Sequence, residues 1–270
     1  TGYSLFPGKG PYEQEPIGSL KEPFAGTYNG DCNTIKNVVP RVEEAAKRQY
    51  AGLFGYSEGT LRNIVYQMPG QDVSVNLGST AQKLYVGTLA GGSAGTVDNC
   101  AVSGANLVAM ASGVELYVGG LVGRNQGVVR NSAAEFEKLS ADCFNFAQVY
   151  LGGLVGENGV SRSITASYAV GRVNVSVSTV KTARLCGFVG WNYGSITNSY
   201  AAVDLQSSGE NVELFGFCGG KYGSQSGTGY LDQGNCTYRG ASYAAKYHQD
   251  GDKAESVTYA RLSGEGADAP

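Results

Sequence analysis

The chain has 270 residues and a formal net charge of −3 at pH 7. Gly contributes 41 residues and Tyr 18, while charged residues are only 16%, well below the usual quarter or so. These figures exclude a helical bundle with Glu, Lys and Arg on its wet faces and a basic surface for nucleic acid; with no long apolar run, they also exclude a helical membrane span in this fragment.

Six cysteines (Cys32, Cys100, Cys143, Cys186, Cys218, Cys236) are widely spaced, and none forms a C-x-x-C pair. That argues against a structural zinc site. Most read as small buried apolar residues, with a disulfide or two left open. No metal and no cofactor is expected. The chain opens at Thr1 as if trimmed from a precursor, so the missing export signal does not argue for the cytoplasm.

Taken in order, the first patterned element includes Ile35 and Asn37. Residues 40–50 follow, reading Pro-Arg-Val-Glu-Glu-Ala-Ala-Lys-Arg-Gln-Tyr. They are rich in helix formers, which predicts a short helical insertion.

A repeat then begins. Gly52-Leu53-Phe54-Gly55 returns as Thr88-Leu89-Ala90-Gly91 and as Gly120-Leu121-Val122-Gly123. It returns again as Gly153-Leu154-Val155-Gly156, Gly187-Phe188-Val189-Gly190 and Gly216-Phe217-Cys218-Gly219. Successive starts differ, by subtraction, by 36, 32, 33, 34 and 29 residues. Aligned, the copies give apolar columns: Leu53, Leu89, Leu121, Leu154, Phe188, Phe217, beside Phe54, Ala90, Val122, Val155, Val189, Cys218. An upstream column reads Tyr50, Val86, Val118, Leu151, Leu185, Leu214. Columns that stay apolar in every copy predict one continuous core. The closing column, Gly55, Gly91, Gly123, Gly156, Gly190 and Gly219, predicts positive φ or close backbone approach at a corner.

A second ladder follows each motif: Leu61, Val97, Val129 and Ile196, with Ile164 displaced by an insertion. Two positions on stands an asparagine column, Asn37, Asn63, Asn99, Asn131 and Asn198, with Ala166 in the fourth copy. Stacked amides that bond along the axis would explain it.

Each copy is too short for a propeller blade and lacks Asn-Gly or Asp-Gly hairpins. In-register columns of like residues point instead to parallel stacking at about 4.8 Å per coil. The expected fold is all-β: a right-handed parallel β-helix, or β-solenoid, of about six to seven coils over residues 1–240. Residues 241–270 lack the motif and read as a C-terminal cap or a linker to the rest of a larger protein.

Over residues 24–230 these motifs resemble the GLUG repeat family, named for its Gly-Leu-Val/Ile/Phe-Gly core. The second copy departs, with Thr88 and Ala90, and the last loses the asparagine. The family occurs in bacterial surface proteins, including adhesins and the non-catalytic parts of immunoglobulin A peptidases. The resemblance implies an extracellular or bacterial cell-surface location and a stalk or display module.

No catalytic set stands out. His248 is the one histidine, and neither a His-Glu-x-x-His motif nor a nucleophile with its base is present. The acids Glu115, Glu135, Glu137, Asp142, Glu157, Asp204, Glu210 and Glu213 are scattered and read as solvated outer faces. The candidate binding residues are tyrosines. Tyr85, Tyr117 and Tyr150 share one column and are expected to point outward, as are Tyr168 and Tyr200 in a shorter one. Such rows would stack on sugars or anchor a protein, or else stiffen the wall.

The leading expectation is therefore a monomeric, non-catalytic structural or adhesion module, with a host or bacterial surface glycan or protein as partner. The alternative is a polysaccharide-active β-helix enzyme, with a cleft between insertions at 135–148 and 174–183. An ice-binding solenoid would want a threonine column, and none is apparent.

Overall fold

The computed structural model describes residues 11–40, 49–69, 73–76, 83–145, 147–177, 180–208 and 211–219, with short strands at 224–226, 229–231, 235–238, 241–244 and 255–257. Among the described residues every regular element is a strand.

One turn shows the plan. Its strands are Lys83–Gly87, Ala90–Ser93, Thr96–Asp98 and Ala101–Ser112. Each pairs in parallel with its counterpart one turn later: Glu115–Gly119, Val122–Asn125, Val128–Arg130 and Ala133–Phe144. Stacking makes four walls, with sheets of six, five, seven and nine strands. The chain is thus a parallel β-solenoid. Five turns, opening at Tyr50, Lys83, Glu115, Gln148 and Thr182, place strands in all four walls. Partial turns flank them. At the start, Thr27–Asn29 and Thr34–Lys36 pair with the first full turn, and Ile17 and Phe24 bridge to Phe54 and Ser57. At the end, Val212–Phe215 extends the first wall.

The core follows the repeat columns. Leu89, Leu121, Leu154, Phe188 and Phe217 are fully buried, as are Leu61, Val97, Val129, Ile164 and Ile196. Each such side chain contributes about 1.5–3 kcal/mol on leaving water. Where the next turn repeats the residue, core side chains pack on their own kind, as Leu84 does on Leu116 and Val86 on Val118; Phe188 and Phe217 stack 4.7 Å apart.

One column was misaligned. Tyr50 is not in the inward column with Val86. It is in register with Tyr85, and Ala51 pairs with Val86. The first copy has one residue fewer between this pair and the motif leucine, which shifts the alignment by one.

The fourth wall also differs from expectation. Of the segments 135–148 and 174–183, read as insertions flanking a cleft, residues 135–144 and 174–177 supply this wall instead. Ala133–Phe144 and Tyr168–Val177 are long strands paired with each other, and Ala133–Phe144 also pairs with Ala101–Ser112. Register shifts at Ser103/Ala105 and Glu135/Leu139 interrupt their alternation. Gly104 takes a φ of +70 at the first shift, as a bulge requires.

Pro40 closes a strand, Val38–Pro40, and Tyr50 opens another. The helix expected between them falls on residues 41–48, outside the described residues. The expected cap is described only in short strands. Ala241–Ala244 pairs antiparallel with Asn235–Tyr238 and lies against Tyr200–Ser208. Glu255–Val257 pairs in parallel with Gly229–Leu231.

Candidate functional site

The closing glycines of the motif fix the corner between the first and second walls, and they do so by close approach rather than positive φ. A Cβ on Gly91 would lie 2.4 Å from the Ala51 nitrogen, and one on Gly123 would lie 2.7 Å from that of Val86. On Gly156 it would lie 2.9 Å from the Val118 nitrogen. Gly55 and Gly190 are as confined, against the Gly18 and Gly156 carbonyls at 2.4 and 2.7 Å, and Gly219 meets the Cys186 sulfur at 2.9 Å. No side chain fits where one backbone passes another so closely. The outer faces of the two walls therefore fold toward each other into a concave external corner.

The tyrosine column fills that corner. Tyr50, Tyr85, Tyr117 and Tyr150 stack with ring centroids 5.0, 5.1 and 4.8 Å apart and planes within 13, 19 and 18°. They form a cluster separate from the main core. They do point away from that core, but not into solvent: Tyr85 is 1% exposed and Tyr117 4%. The second wall covers them with a column of Tyr56, Gly92, Arg124, Glu157 and Trp191, in register turn by turn. Tyr56 lies 4.9 Å from Tyr50, the Arg124 guanidinium 5.1 Å over Tyr85, and Trp191 meets Tyr150 edge-on at 5.2 Å. Gly92 has no room for a side chain, since a Cβ there would sit 2.7 Å from both the Tyr50 and Tyr56 rings.

The rim is polar. Tyr117 donates to Glu115 at 2.9 Å, and Tyr56 to Gln126 at 2.9 Å. Lys83 pairs with Glu115 at 2.8 Å. Burial pulls the Lys83 ammonium down, but the hydrogen bond and charge of Glu115, with Glu157 and Tyr193 adding, together leave its pKa raised. Burial, first of all, holds the Tyr85 and Tyr117 phenols above their ordinary range, with Glu157 and Glu115 adding to it. These rings stay neutral and serve as packing.

Five ion pairs join the described residues, and every one links residues in register on adjacent turns. They are Lys83–Glu115, Arg124–Glu157, Arg130–Asp98, Arg172–Asp204 and Arg184–Glu213. Four of the acids that read as scattered in the sequence, Glu115, Glu157, Asp204 and Glu213, are thus turn-to-turn partners of bases. Glu157 and Asp204 are buried rather than solvated.

The asparagine column has a cause beside the amide bonding expected of it. Asn37, Asn63, Asn99, Asn131 and Asn198 all have φ between 50 and 55°, and Ala166 has 48°. Asn63, Asn99, Asn131, Ala166 and Asn198 each turn the corner from third to fourth wall in the left-handed region, which Asn tolerates best among residues with side chains. Asn37 and Ile35 do not belong to these columns: Thr34–Lys36 is a fourth-wall strand in register with Val65–Gln67, and Tyr28 stands at the Leu61 position. The amide ladder is short: Asn99 donates to Asn63 and Asn63 to Asn29, but Asn131 turns to Asp98.

Tyr168 and Tyr200 stack at 5.3 Å and 7° on the fourth wall, half-buried, with the Tyr168 hydroxyl donating to Glu135. They lie on a different wall from the corner tyrosines, so the two sets do not make one surface. A threonine row does exist: Thr27, Thr60 and Thr96 are in register, and Val128 ends it. Cys100 and Cys143 are buried, with thiol pKa values pushed up by burial to about 11 and about 12. His248 is outside the described residues. Among the described residues no group of His, Cys, Asp and Glu could hold a metal, and no helix is long and apolar enough to cross a membrane.

Two buried ladders escaped the sequence reading. Asn125 donates to Asn158 and Asn158 to Asn192, each at 2.8 Å, where the second wall turns into the third. Their signal was present as Gly-x-Asn in three successive motifs. Ser132, Ser167 and Ser199 each accept from the backbone nitrogen one turn below, at 3.1, 3.1 and 3.2 Å. Trp191, which closes the aromatic column, was also passed over.

No family model, no curated protein and no solved structure matches this chain.

Proposed function

We propose that the chain is a non-catalytic structural and adhesion module of an exported bacterial surface protein, akin to the GLUG repeat family. In this reading it is a monomeric, right-handed rod of six to seven coils, counting the partial turns. Its solenoid unit covers residues 1–240, and 241–270 cap it or lead into the parent protein. It stands outside the cell, spacing a partner domain from the surface or presenting a face to a host or bacterial glycan or protein.

The observation that carries this reading is the turn-to-turn ion pairing. Glu115, Glu157, Asp204 and Glu213 are each tied to a base in register. A polysaccharide-cleaving centre needs acids and bases gathered around one substrate bond. The tyrosines Tyr85, Tyr117 and Tyr150 lend the same support, since each ring face is covered by a neighbouring ring or by the second wall.

The test is to incubate the purified chain with uronate-rich and neutral polysaccharides and to assay new reducing ends and unsaturated uronates. No product is the expected result. Product formation above a buffer control overturns the reading in favour of a polysaccharide-active enzyme.

A further inference from the structure

The corner rings form an unbroken run that continues past the tyrosine column. In order they are Tyr56, Tyr50, Tyr85, Tyr117, Tyr150, Trp191 and Tyr193, with successive centroids 4.9, 5.0, 5.1, 4.8, 5.2 and 5.9 Å apart. Each separation is that of aromatic neighbours in contact. The ring contacts of the main core centre on phenylalanines, Phe24, Phe54, Phe188 and Phe217. A phenyl ring does not give up an electron to ordinary oxidants. Here every ring is a phenol or an indole, the two side-chain rings that do.

The run opens to solvent at one end. The rings from Tyr56 to Tyr150 are all buried, whereas Trp191 is half-buried and Tyr193 is 36% exposed. Cations lie over three of the rings. Lys83 is 5.6 Å over Tyr117, Arg124 5.1 Å over Tyr85 and Arg184 4.6 Å over Trp191. A positive charge so close opposes a ring that has lost an electron and kept its proton. An oxidised ring in this stack therefore has to shed its proton, and Tyr117 is best equipped for that. Its hydroxyl donates at 2.9 Å to the Glu115 carboxylate, within reach of direct proton transfer. Tyr56 and Tyr150 donate instead to the side-chain amides of Gln126 and Gln148, at 2.9 and 3.4 Å, and an amide does not hold the extra proton.

We propose that the corner stack is a one-electron relay. Oxidising radicals take an electron at the Tyr193–Trp191 end, and the deficit passes through Tyr150 to rest on Tyr117 as its proton moves to Glu115. The oxidant gains one electron, the Tyr117 O–H bond breaks, and a new O–H bond forms on Glu115. The product is a neutral phenoxyl radical beside a carboxylic acid. A one-electron reductant in the medium, such as ascorbate, returns the electron, and the proton moves back. Buried at Tyr117, the radical is kept from coupling to a ring of a second chain. This activity goes beyond the structural reading and is independent of whether the module binds a partner.

Trp191 is the only tryptophan in the chain, so an indolyl radical reports this position alone. The experiment uses the intact chain with photogenerated tris(bipyridine)ruthenium(III) as oxidant and follows indolyl and phenoxyl absorption after a laser flash. The expected result is an indolyl signal that converts to phenoxyl at a rate independent of protein concentration. Tyr150→Phe keeps the packing but removes the oxidisable ring between Trp191 and Tyr117. With its circular dichroism unchanged, this variant should lengthen the indolyl lifetime about tenfold or more; Tyr193→Phe should not. Equal lifetimes in the wild-type chain and Tyr150→Phe overturn the relay. A lifetime lengthened by Tyr193→Phe alone also overturns it, because the deficit then leaves outward. Where conversion in the wild-type chain outruns the flash, Tyr150→Phe must still reveal the indolyl signal, and its absence from both overturns the relay. Conversion as fast in Glu115→Gln as in the wild-type chain overturns Tyr117 as the resting place.

Discussion

The ring of Tyr117 lies 4.8 Å from that of Tyr150, within 18° of parallel, and its hydroxyl donates to Glu115. Tyr85 stacks on the opposite face at 5.1 Å. A side chain on the outer surface of a wall is thereby as buried as one in the core, because the glycine corner brings a second wall over it. Tyr117→Ala should open a cavity in the middle of this stack and cost about 3–5 kcal/mol, as truncation of a buried aromatic does. Tyr117→Phe keeps the stack, loses only the bond to Glu115, and should cost about 1 kcal/mol. Guanidinium unfolding followed by circular dichroism checks both. Equal and small losses would mean that the corner stack adds little to stability.

Ala166 sits where neighbouring turns place Asn131 and Asn198, and it holds a φ of 48°. A left-handed residue with a Cβ is strained by roughly 1–2 kcal/mol. Asn relieves part of that, and Gly relieves more at the turn but gives some back through the freedom of the unfolded chain. Ala166→Asn and Ala166→Gly should each raise stability by about 1 kcal/mol, and Asn131→Ala should lower it by a similar amount. The position is exposed, so no packing change confuses the comparison. Denaturant midpoints for the three variants decide it; a destabilised Ala166→Gly would contradict the strain.

These two positions also show what the sequence makes legible. Apolar columns such as Leu121 over Leu89 repeat because parallel strands stack in register, so periodicity alone predicts the core and the solenoid. The asparagine column was equally visible, but its cause was not. Sequence cannot tell a stacked amide from a left-handed corner, and the alanine at 166 was the clue that the backbone mattered. The tyrosine column was placed correctly on the outside, yet its burial depends on the angle between walls. That angle is set by how closely Gly91 and Gly123 let two backbones pass, which no residue pattern states. The long fourth-wall strands read as insertions in the sequence because bulges near Gly104 and Phe136 break the alternation that marks a strand.

Alkaline pH offers a test of the corner that needs no mutation. Burial raises the pKa of Tyr66, Tyr85 and Tyr117 above the ordinary value near 10. In the unfolded chain these phenols ionise at that ordinary value. Above it the folded state therefore binds more protons than the unfolded state, and stability falls as pH rises. Below it both states are protonated, so the contribution is fully present. Tyr66 adds a constraint of its own, since its hydroxyl donates to the Val38 carbonyl at 2.8 Å and a phenolate cannot. On titration from neutral to strongly alkaline pH, these phenolates should not appear gradually. They should appear in one cooperative step that coincides with loss of the β-sheet circular dichroism signal. Replacing Tyr85 and Tyr117 by Phe removes two of the ionisations and should move that step to higher pH. A smooth phenolate titration with the sheet signal intact would mean that the corner opens to water without unfolding, and the aromatic ladder would then be a surface feature after all.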